Sequence, residues 1–306
     1  MSGKQKPIVV VGSINMDLVA RTPTIPLAGQ TLIGKGFTTT PGGKGANQAV
    51  AVARLGYQVE MVGAVGADVF GKSLIANLTG VGVGTEAVAC LEGPSGVAPI
   101  LVSDSGENSI VVVPGANGKV DCAFIDRHAD MIRSAGMVLC QLELPLETLP
   151  HILAICGEAG VPVMLDPAPA ASLPDEVWSR LTWFTPNETE AAFYLGNRRE
   201  PESAAKELLA RGLKGVVLKR GAEGAYVSVA NGESAWVPAF SVKAVDTVGA
   251  GDCFNGAFAV ALLEGRDPST AARFASAAAA ISVTRRGAQA SIPSRVEVDA
   301  FLAQNR

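Results

Sequence analysis

The sequence predicts an α/β protein: a mostly parallel, Rossmann-like central sheet with helices on both faces, plus a small β-sheet lid. Short apolar runs alternate with helical patterns along most of the 306 residues, which is typical of βαβ units. Hydrophobic residues make up 48% of the chain and charged residues 18%, so the chain can bury a sizeable core. The 34 glycines supply turns and places where the backbone can approach a ligand.

The predicted strands of the central sheet are short apolar runs, as expected for strands buried on both faces. They cover residues 8–12, 59–65, 137–141, 163–166, 183–185 and 215–220. The segments between them carry apolar residues at helical spacing. These predicted helices cover residues 46–55, 70–78, 124–134, 146–159, 187–195 and 202–210, and an Ala-rich helical region follows from Gly249.

Two stretches, residues 18–40 and 96–113, break this alternation. Both alternate apolar and polar residues between Pro and Gly, which is typical of antiparallel hairpins. They are too short to form a core of their own, so we expect one lid sheet, approximately residues 14–40 and 96–113, inserted in a single domain of residues 1–306. An exposed face of this sheet would need a partner, which favours a homodimer through the lid sheet.

The composition excludes several classes of function. The 25 Lys and Arg against 29 Asp and Glu give no large cationic field, so we expect no nucleic-acid partner. We find no signal peptide and no apolar run of about 18 residues, so we expect a cytoplasmic protein with no membrane partner. The five cysteines form no CxxC motif and are expected to be buried, reduced thiols. The two histidines, His128 and His151, exclude a zinc site of three imidazoles.

Residues 66–73 match the P-loop pattern G-x-x-x-x-G-K-[ST] and follow a predicted strand. A P-loop wraps phosphates with backbone N–H groups, but here the Asp68 carboxylate and the bulky Phe70 would stand among the wrapping positions. The favoured interpretation is that Asp68 caps a helix that begins near Val69 and that Phe70 packs into the core. A P-loop NTPase that uses Lys72 is the alternative.

The segment PGGKGANQ, residues 41–48, leads into a predicted helix that starts near Ala46. Its glycines let the backbone come close to a small ligand. Lys44 and Asn47 supply directional polar groups at the helix N-terminus, which suits a polyhydroxy compound or an anion. The alternative is a tight turn with one solvated lysine.

Further polar side chains follow predicted strands at their carboxyl ends, where ligands bind in open α/β sheets. Asn15 and Asp17 follow the first strand and could hold adjacent hydroxyl groups, although an Asx-turn is the alternative. Glu143 ends another strand and is expected to point at the same crevice. Asn187 and Glu190 open a helix three residues apart, either organising water around Mg²⁺ near phosphates or forming a capping box.

The strongest constellation is AVDTVGAGD, residues 244–252. The small residues Gly249, Ala250 and Gly251 expose consecutive N–H groups where a long helix begins, which predicts an anion hole for a transferring phosphoryl group. Asp252 lies in the first helical turn, where the helix dipole keeps it ionised and able to take a proton from an attacking hydroxyl. The alternative is that Asp252 only caps the helix.

These segments resemble the signatures of the ribokinase/PfkB family of carbohydrate kinases. The early signature reads PGGKGANQAVAVARLG, the late one DTVGAGDCFNGAF, and NETE lies between them. The likeness runs from VVVGSINMDLV to VTRRGAQASIPS, and the GGKGANQ wording is most similar to the ribokinases. It implies a ribokinase-like fold and ATP-dependent phosphorylation of D-ribose at O5. A kinase of another sugar or a nucleoside, a P-loop NTPase and a non-catalytic sugar- or nucleotide-binding protein are the alternatives.

The resemblance also implies a role for each matching position. For ribose these are Asn15, Asp17, Gly43, Lys44, Asn47 and Glu143, with Asp252 as general base and Gly249, Ala250 and Gly251 as the anion hole. For ATP they are Asn187, Lys219, Gly221, Glu223, Gly224, Gly251 and Ser276. Mg²⁺ would lie near Asn187 and Glu190, and an activating K⁺ near Asp246, Val248, Ser282, Gly287 and Ser291. Where ribokinases often carry Thr-Leu-Gly-Ser this chain reads LKRGA, so Lys219 and Arg220 would add positive charge near ATP.

Overall fold

The structure is a computed structural model that describes residues 5–305. The strands are β1 (Ile8–Val11), β2 (Asn15–Thr22), β3 (Gly36–Gly42), β4 (Val59–Gly66), β5 (Val88–Leu91), β6 (Gly96–Ser103), β7 (Asn108–Ile110), β8 (Met137–Cys140), β9 (Val163–Leu165), β10 (Trp183–Phe184), β11 (Gly215–Lys219), β12 (Gly224–Val229) and β13 (Ser234–Pro238). The α-helices are α1 (Lys44–Arg54), α2 (Val69–Gly80), α3 (Cys122–Asp126), α4 (Ala129–Ser134), α5 (Thr148–Ala159), α6 (Asp175–Trp178), α7 (Glu188–Leu195), α8 (Pro201–Leu209), α9 (Ala250–Leu263), α10 (Pro268–Ser282), α11 (Ala288–Ser291) and α12 (Arg295–Gln304).

The central sheet has nine strands in the order β13-β12-β11-β10-β9-β8-β1-β4-β5. Neighbours from β11 to β5 are parallel, whereas β12 and β13 form an antiparallel edge. This order confirms the predicted α/β fold with a mostly parallel sheet. The carboxyl ends of the parallel strands therefore meet at one edge, and that edge positions the candidate site.

Both faces of the sheet are buried, which explains why its strands read as unbroken apolar runs. In β1, Ile8 and Val10 belong to one core cluster, while Val9 and Val11 belong to the other. Successive side chains of a strand point to opposite faces, so one short run of four residues serves two cores. Helices α1, α9 and α10 contribute to the first cluster, and α5, α7 and α8 contribute to the second.

A separate four-stranded sheet (β3-β2-β6-β7) corresponds to the two hairpin stretches. The pairs β2–β3 and β6–β7 are antiparallel, as predicted, but β2 and β6 are parallel along the whole of both strands. The expectation of an antiparallel sheet is wrong for this pair. The reason is topological. β2 follows β1 and β6 follows β5, and β1 and β5 are parallel strands of the central sheet, so β2 and β6 both begin at its carboxyl edge.

Two other differences from the predicted elements have local causes. The hairpin β12–β13 was not predicted, although its turn carries the hairpin signal Asn231-Gly232, with Asn231 at φ 55°. The predicted helix over residues 124–134 is two helices, α3 and α4. The chain breaks at His128, whose φ of −116° and ψ of 12° are not helical, and Asp121 caps α3 by accepting from the Phe124 N–H at 2.8 Å.

The cysteines of residues 5–305 are all free thiols, and three of them are buried. The expectation of buried thiols is wrong for Cys90, which is exposed, because it lies on the edge strand β5. Cys122 is partly exposed. No helix in the described part of the chain combines the length and hydropathy that a bilayer span requires.

Candidate active site

A cavity of about 670 Å³ lies at the carboxyl edge of the central sheet, against helices α9 and α10. Many of the predicted site residues line it together: Lys44, Asn187, Glu190, Lys219, Gly221, Gly224, Gly249, Ala250, Gly251, Asp252 and Ser276. Apolar residues also line it: Phe240, Val242, Ala279, Ala280 and Val283. The cavity wall therefore combines lysines and carboxylates with apolar side chains that suit a flat apolar ring.

The N-terminus of α9 forms part of the cavity wall. Gly249 is its N-cap residue, with φ 76°, a conformation that favours glycine. No side chain in residues 5–305 caps this helix end, although the Ala250 N–H donates to the Thr247 carbonyl at 3.3 Å, and Gly249, Ala250 and Gly251 all line the cavity. The absence of a side-chain cap and the positive end of the helix dipole make this terminus suitable for an anion.

Asp252 lies in the first turn of α9 and is buried, with 5% of its surface exposed. Its Oδ2 accepts a hydrogen bond from Asn47 Nδ2 at 2.9 Å, and its Oδ1 accepts one from Gln48 Nε2 at 3.2 Å. Burial raises the pKa of Asp252 above its ordinary value, while the Lys44 ammonium lowers it. The neighbouring Asp166 raises this pKa, and the two amide donors lower it.

Asp166 is a site residue that the sequence analysis missed. It follows β9, is 3% exposed and lines the cavity. Its Oδ1 accepts from Lys219 Nζ at 2.9 Å, so the predicted nucleotide-side lysine forms a part-buried ion pair with Asp166. The rule that selected Asn15 and Glu143, polar residues just beyond a strand, applies equally to Asp166.

Lys44 lies among carboxylates at the start of α1. Burial lowers the pKa of Lys44, but four nearby carboxylates raise it by a larger amount, so the pKa lies above its ordinary value. These carboxylates belong to Asp252, Asp166, Glu143 and Glu190. The backbone N–H of Lys44 also donates to Glu143 Oε2 at 3.2 Å. Lys44 is therefore a permanent cation between the sugar-side and phosphate-side residues of the prediction.

The sugar-side residues cluster where β2 and α1 begin. Asn15 Oδ1 accepts from Asn117 Nδ2 at 2.7 Å, and Glu143 accepts from the Ser13 hydroxyl. Burial, followed by the nearby Glu143 and Asp252 carboxylates, raises the pKa of Asp17 to about 7.

Asn47 contributes an unpaired acceptor to this cluster. Within residues 5–305 its Oδ1 is buried without a hydrogen-bond partner, although its Nδ2 donates to Asp252. A buried acceptor of this kind is costly unless a donor such as a hydroxyl group satisfies it.

Residues 42–45, the early glycine segment, are packed against protein. A Cβ on Gly42 would lie 2.3 Å from Asp17 Oδ2, and one on Gly45 would lie 2.6 Å from the backbone carbon of Gly12. Gly43 has φ 87° and is the N-cap residue of α1. These glycines make room for a close approach of protein to protein, whereas the sequence suggested an approach to a ligand.

Asn187 and Glu190 form the capping box that was the alternative interpretation. The Glu190 N–H donates to Asn187 Oδ1 at 2.8 Å, and the Asn187 N–H donates to Glu190 Oε2 at 2.7 Å. Both side chains also line the cavity. The pair therefore caps α7 and also forms part of the cavity wall.

The nucleotide-side residues divide into two groups. Lys219, Gly221, Gly224 and Ser276 line the cavity. Glu223 does not; it accepts from Arg220 Nε at 3.0 Å. Arg220 pairs with Glu223 and is not among the residues that line the cavity, so Lys219 is the one of the two that does.

The potassium-side residues are partly assembled around Asp246. Its Oδ1 accepts from the Val248 N–H at 3.0 Å, and its Oδ2 accepts from the Gly287 N–H at 2.9 Å. Ser282 and Ser291 are buried and donate to carbonyl groups of their own helical turns. The structure thus connects Asp246, Val248 and Gly287 directly, but it gives no direct contact from them to the two serines.

The P-loop match at residues 66–73 is a helix cap. Asp68 is the N-cap residue of α2; its carboxylate accepts from the Gly71 N–H at 2.7 Å and the Ser95 N–H at 2.8 Å. Phe70 packs against the core and Lys72 is exposed. The carboxylate occupies the position of an anion at this helix, so the P-loop hypothesis is wrong.

Comparison with known proteins gives consistent results over nearly the whole chain. The model of the pfkB family carbohydrate kinases matches residues 5–295. The chain is 44% identical to the ribokinase of Schizosaccharomyces pombe over 306 residues, covering 95% of this chain and 96% of that protein. It is 44% identical to the ribokinase of Bacillus subtilis, covering 97% and 99%. A solved structure of Arabidopsis thaliana ribokinase complexed with ribose and ATP is similar, with a TM-score of 0.91 at 35% identity, covering 98% of this chain and 99% of that one.

Proposed function

The chain belongs to the pfkB family of carbohydrate kinases, and from that premise we propose that it transfers a phosphoryl group from ATP to O5 of D-ribose. The product would be ribose 5-phosphate. The observation that carries the proposal is the buried Asp252 carboxylate at the N-terminus of α9, inside a cavity that also holds Lys44 and Lys219. In-line phosphoryl transfer needs a base, an anion-binding helix end and positively charged groups, and the two lysines supply the positive charge.

Each part has one task in this scheme. Asp252 accepts the proton of the attacking hydroxyl, since it is the carboxylate closest to the helix end in the sequence. The N–H groups of Gly249, Ala250 and Gly251 stabilise the charge that develops on the transferring group. Lys219 offers a second positive group to the phosphates. The apolar part of the cavity wall, together with Ser276, accommodates the adenine ring.

The sugar is held by the cluster around β2 and α1. Asn15, Asp17 and Glu143 supply acceptors for hydroxyl groups, and the unpaired Oδ1 of Asn47 supplies another. Gly43 and Lys44 complete the set. The ribokinase of Arabidopsis thaliana, which resembles this chain over its whole length, has been solved with ribose and ATP. A sugar with several hydroxyl groups is the ligand that such a set of acceptors favours.

Two cations are proposed with the nucleotide. Mg²⁺ keeps several waters and is usually bound by one or two carboxylates together with phosphates. Glu190 and Asn187 line the cavity and would hold those waters, and bound Mg²⁺ would neutralise phosphate charge. Asp246, Val248, Ser282, Gly287 and Ser291 offer carboxylate, carbonyl and hydroxyl oxygens, a donor set that suits K⁺.

The assembly and location follow from the same proposal. We infer a cytoplasmic homodimer of one-domain chains that pair through the four-stranded sheet, which acts as a lid. Exposed apolar side chains on this sheet and in the segments next to its strands support it. Phe37 lies on β3 and Ile110 on β7, Leu27 and Ile33 lie in the connection between β2 and β3, and Val111 follows β7.

Consumption of ATP across a panel of pentoses and hexoses, with and without potassium, tests the substrate. We expect D-ribose to give the highest kcat/KM, above 2-deoxyribose, fructose and nucleosides. Preference for another acceptor would establish a kinase of that compound. A protein that binds sugar or nucleotide without turnover of any acceptor would be a binding protein.

The variant Asp252→Asn tests the mechanism. We expect kcat to fall by at least about 10²-fold while ATP still binds, because the amide cannot accept the hydroxyl proton. Asp267→Asn is the matched control, since Asp267 caps α10 outside the cavity. Near-normal turnover of Asp252→Asn would refute the assignment of the base.

A further inference from the structure

Gln48, in the second turn of α1, connects two carboxylates that come from distant parts of the chain. It is 1% exposed. Its Nε2 lies 3.1 Å from Asp166 Oδ2 and 3.2 Å from Asp252 Oδ1. Its Oε1 accepts from Gln141 Nε2 at 2.8 Å. Every polar atom of the side chain is therefore engaged.

The chemistry of this arrangement requires a primary amide. An amide nitrogen carries two hydrogens in one plane, so a single side chain can donate to two acceptors at once. The Gln141 amide fixes the orientation, because it donates to the oxygen of Gln48. The reversed orientation would place that oxygen against both carboxylates.

Two buried carboxylates this close to one atom repel each other and tend to share a proton. The outer oxygen of Asp166 is neutralised by Lys219 Nζ at 2.9 Å, and the outer oxygen of Asp252 accepts from Asn47. Gln48 supplies the donor between the two groups. Lys219, Asp166, Gln48 and Asp252 thus form one continuous chain of hydrogen bonds from the phosphate side of the cavity to the proposed base.

We propose that Gln48 is a positioning residue for the phosphoryl transfer: it fixes the Asp252 carboxylate in the orientation that receives the hydroxyl proton and keeps it apart from Asp166. This inference rests on the proposed function, in which Asp252 is the base. Gln48 itself touches no reacting atom in this scheme. Its effect is on the proton affinity and rotamer of Asp252.

The other charged groups around Asp252 define the direction of the effect. They are Lys44 on α1, Asp166 after β9 with its partner Lys219 on β11, and Asp17 on β2. Hydrogen bonds from Gln48 and Asn47 lower the pKa of Asp252, and the Asp166 charge raises it. Removal of the Gln48 donor therefore raises this pKa, and the acid side of the kcat profile moves to higher pH.

The test is the pH profile of kcat for Gln48→Met, which keeps length and burial but loses the amide. We expect the acid limb to be displaced upward by about one pH unit, so that kcat falls about 10-fold on that limb and recovers towards the wild-type value at pH 9. KM for ribose and ATP should change less than about threefold, since an interaction of the base is lost and not uniform binding. Gln48→Glu keeps the shape of the side chain and adds a third carboxylate, so it should also displace the acid limb to higher pH. This variant replaces Gln48→Met in the test if the Met variant does not fold.

Thr148→Val is the matched control, because Thr148 is also a buried hydrogen-bonding residue but lies on α5, outside the cavity. Its profile should coincide with that of the wild type. An active wild type whose acid limb is unmoved by Gln48→Met, or a kcat reduced equally at every pH, would overturn the role of Gln48 and leave the proposed function intact. A wild type that phosphorylates no sugar would overturn both.

Discussion

The early glycine segment (residues 42–45) and the late glycine segment (residues 249–251) lie at the starts of α1 and α9, the two helices that meet at Asp252. A Cβ on Gly45 would lie 2.6 Å from the Gly12 backbone carbon, a distance that real Cβ atoms do not show. A Cβ on Gly251 would have Lys219 Nζ at 3.5 Å as its nearest neighbour, an ordinary contact.

The comparison separates two reasons for glycine. In the early segment the protein already fills the space, so glycine allows α1 to pack on the loop after β1. In the late segment Gly249 is also packed, with Ala288 at 3.1 Å from an added Cβ, whereas Gly251 has open space beside it and lines the cavity. Substitutions in the early segment should therefore change stability first, and a substitution at Gly251 should change catalysis first.

Gly45→Ala should have the largest effect on folding. Three backbone atoms, of Gly12 and Ser13, lie under 3.0 Å from the added Cβ, so α1 must move away from β1. We expect a loss of about 3 kcal/mol or more in the free energy of unfolding, measured by urea denaturation. Gly157→Ala, on α5 with nothing within 4 Å, is the matched control and should stabilise by about 0.5–1 kcal/mol. Equal stability of Gly45→Ala and wild type would contradict the proposed difference between the early and late glycine segments.

Gly251→Ala should spare folding and impair turnover. Its methyl group would project into the space beside Lys219, where the transferring group is proposed to lie. We expect the free energy of unfolding to stay within about 0.5 kcal/mol of wild type, and kcat to fall about 10²-fold because the phosphate is displaced by about 1 Å. Steady-state kinetics and denaturation of the same preparation measure both. A large loss of stability with normal kcat would reverse the assignment of the two segments.

Asp17→Asn should sharpen the comparison through its pH dependence, because Asp17 is the buried carboxylate against which Gly42 packs. The pKa of Asp17 is raised to about 7, so between about pH 4 and 7 the folded state holds a proton that the unfolded chain releases. The stability of the wild type therefore falls as pH rises through this window. The variant should be more stable at pH 8 by about 1–4 kcal/mol and nearly equal at pH 4. Equal pH dependence of unfolding in both proteins would contradict this.

The smallest expected effects come from Asp68 and Lys72, in the segment that matches the P-loop pattern (residues 66–73). Asp68→Ala should lower the free energy of unfolding by about 1–2 kcal/mol, because the cap of α2 is lost. Lys72→Ala should leave kcat and stability unchanged, since Lys72 is exposed on the same helix. Loss of activity in Lys72→Ala would restore the P-loop hypothesis.

Local chemistry allowed much of the fold and of the site to be predicted. The strand runs were recognisable because each is buried on both faces. Asn187 and Asp252 were proposed because helix starts gather ligands, whereas Lys219 was proposed only from the family resemblance. Asp166 obeyed the same rule and was overlooked. Gln48 could not have been selected this way, because its importance depends on acceptors 118 and 204 residues away in the chain.

The parallel pairing of β2 with β6 shows a second limit. Side chains alternate between faces in the same way in parallel and antiparallel strands, so periodicity does not report strand direction. Direction follows from the route of the chain through the central sheet. Likewise, the glycines of residues 42–45 read as ligand contacts because sequence does not reveal that Asp17 and Gly12 already occupy the space.

The four-stranded sheet has a thermodynamic consequence because its strands carry the proposed sugar-binding residues. Asn15 and Asp17 lie on β2, and Gly42 ends β3. Seven residue pairs join β2 and β3 in one hydrogen-bonded ladder, which connects these residues to the exposed surface of the sheet. In the proposed dimer, sugar binding and self-association through that surface would be linked functions. The factor by which bound sugar would change the dimer association constant equals the factor by which dimerisation would change the affinity for sugar. Substrate affinity would therefore depend on protein concentration.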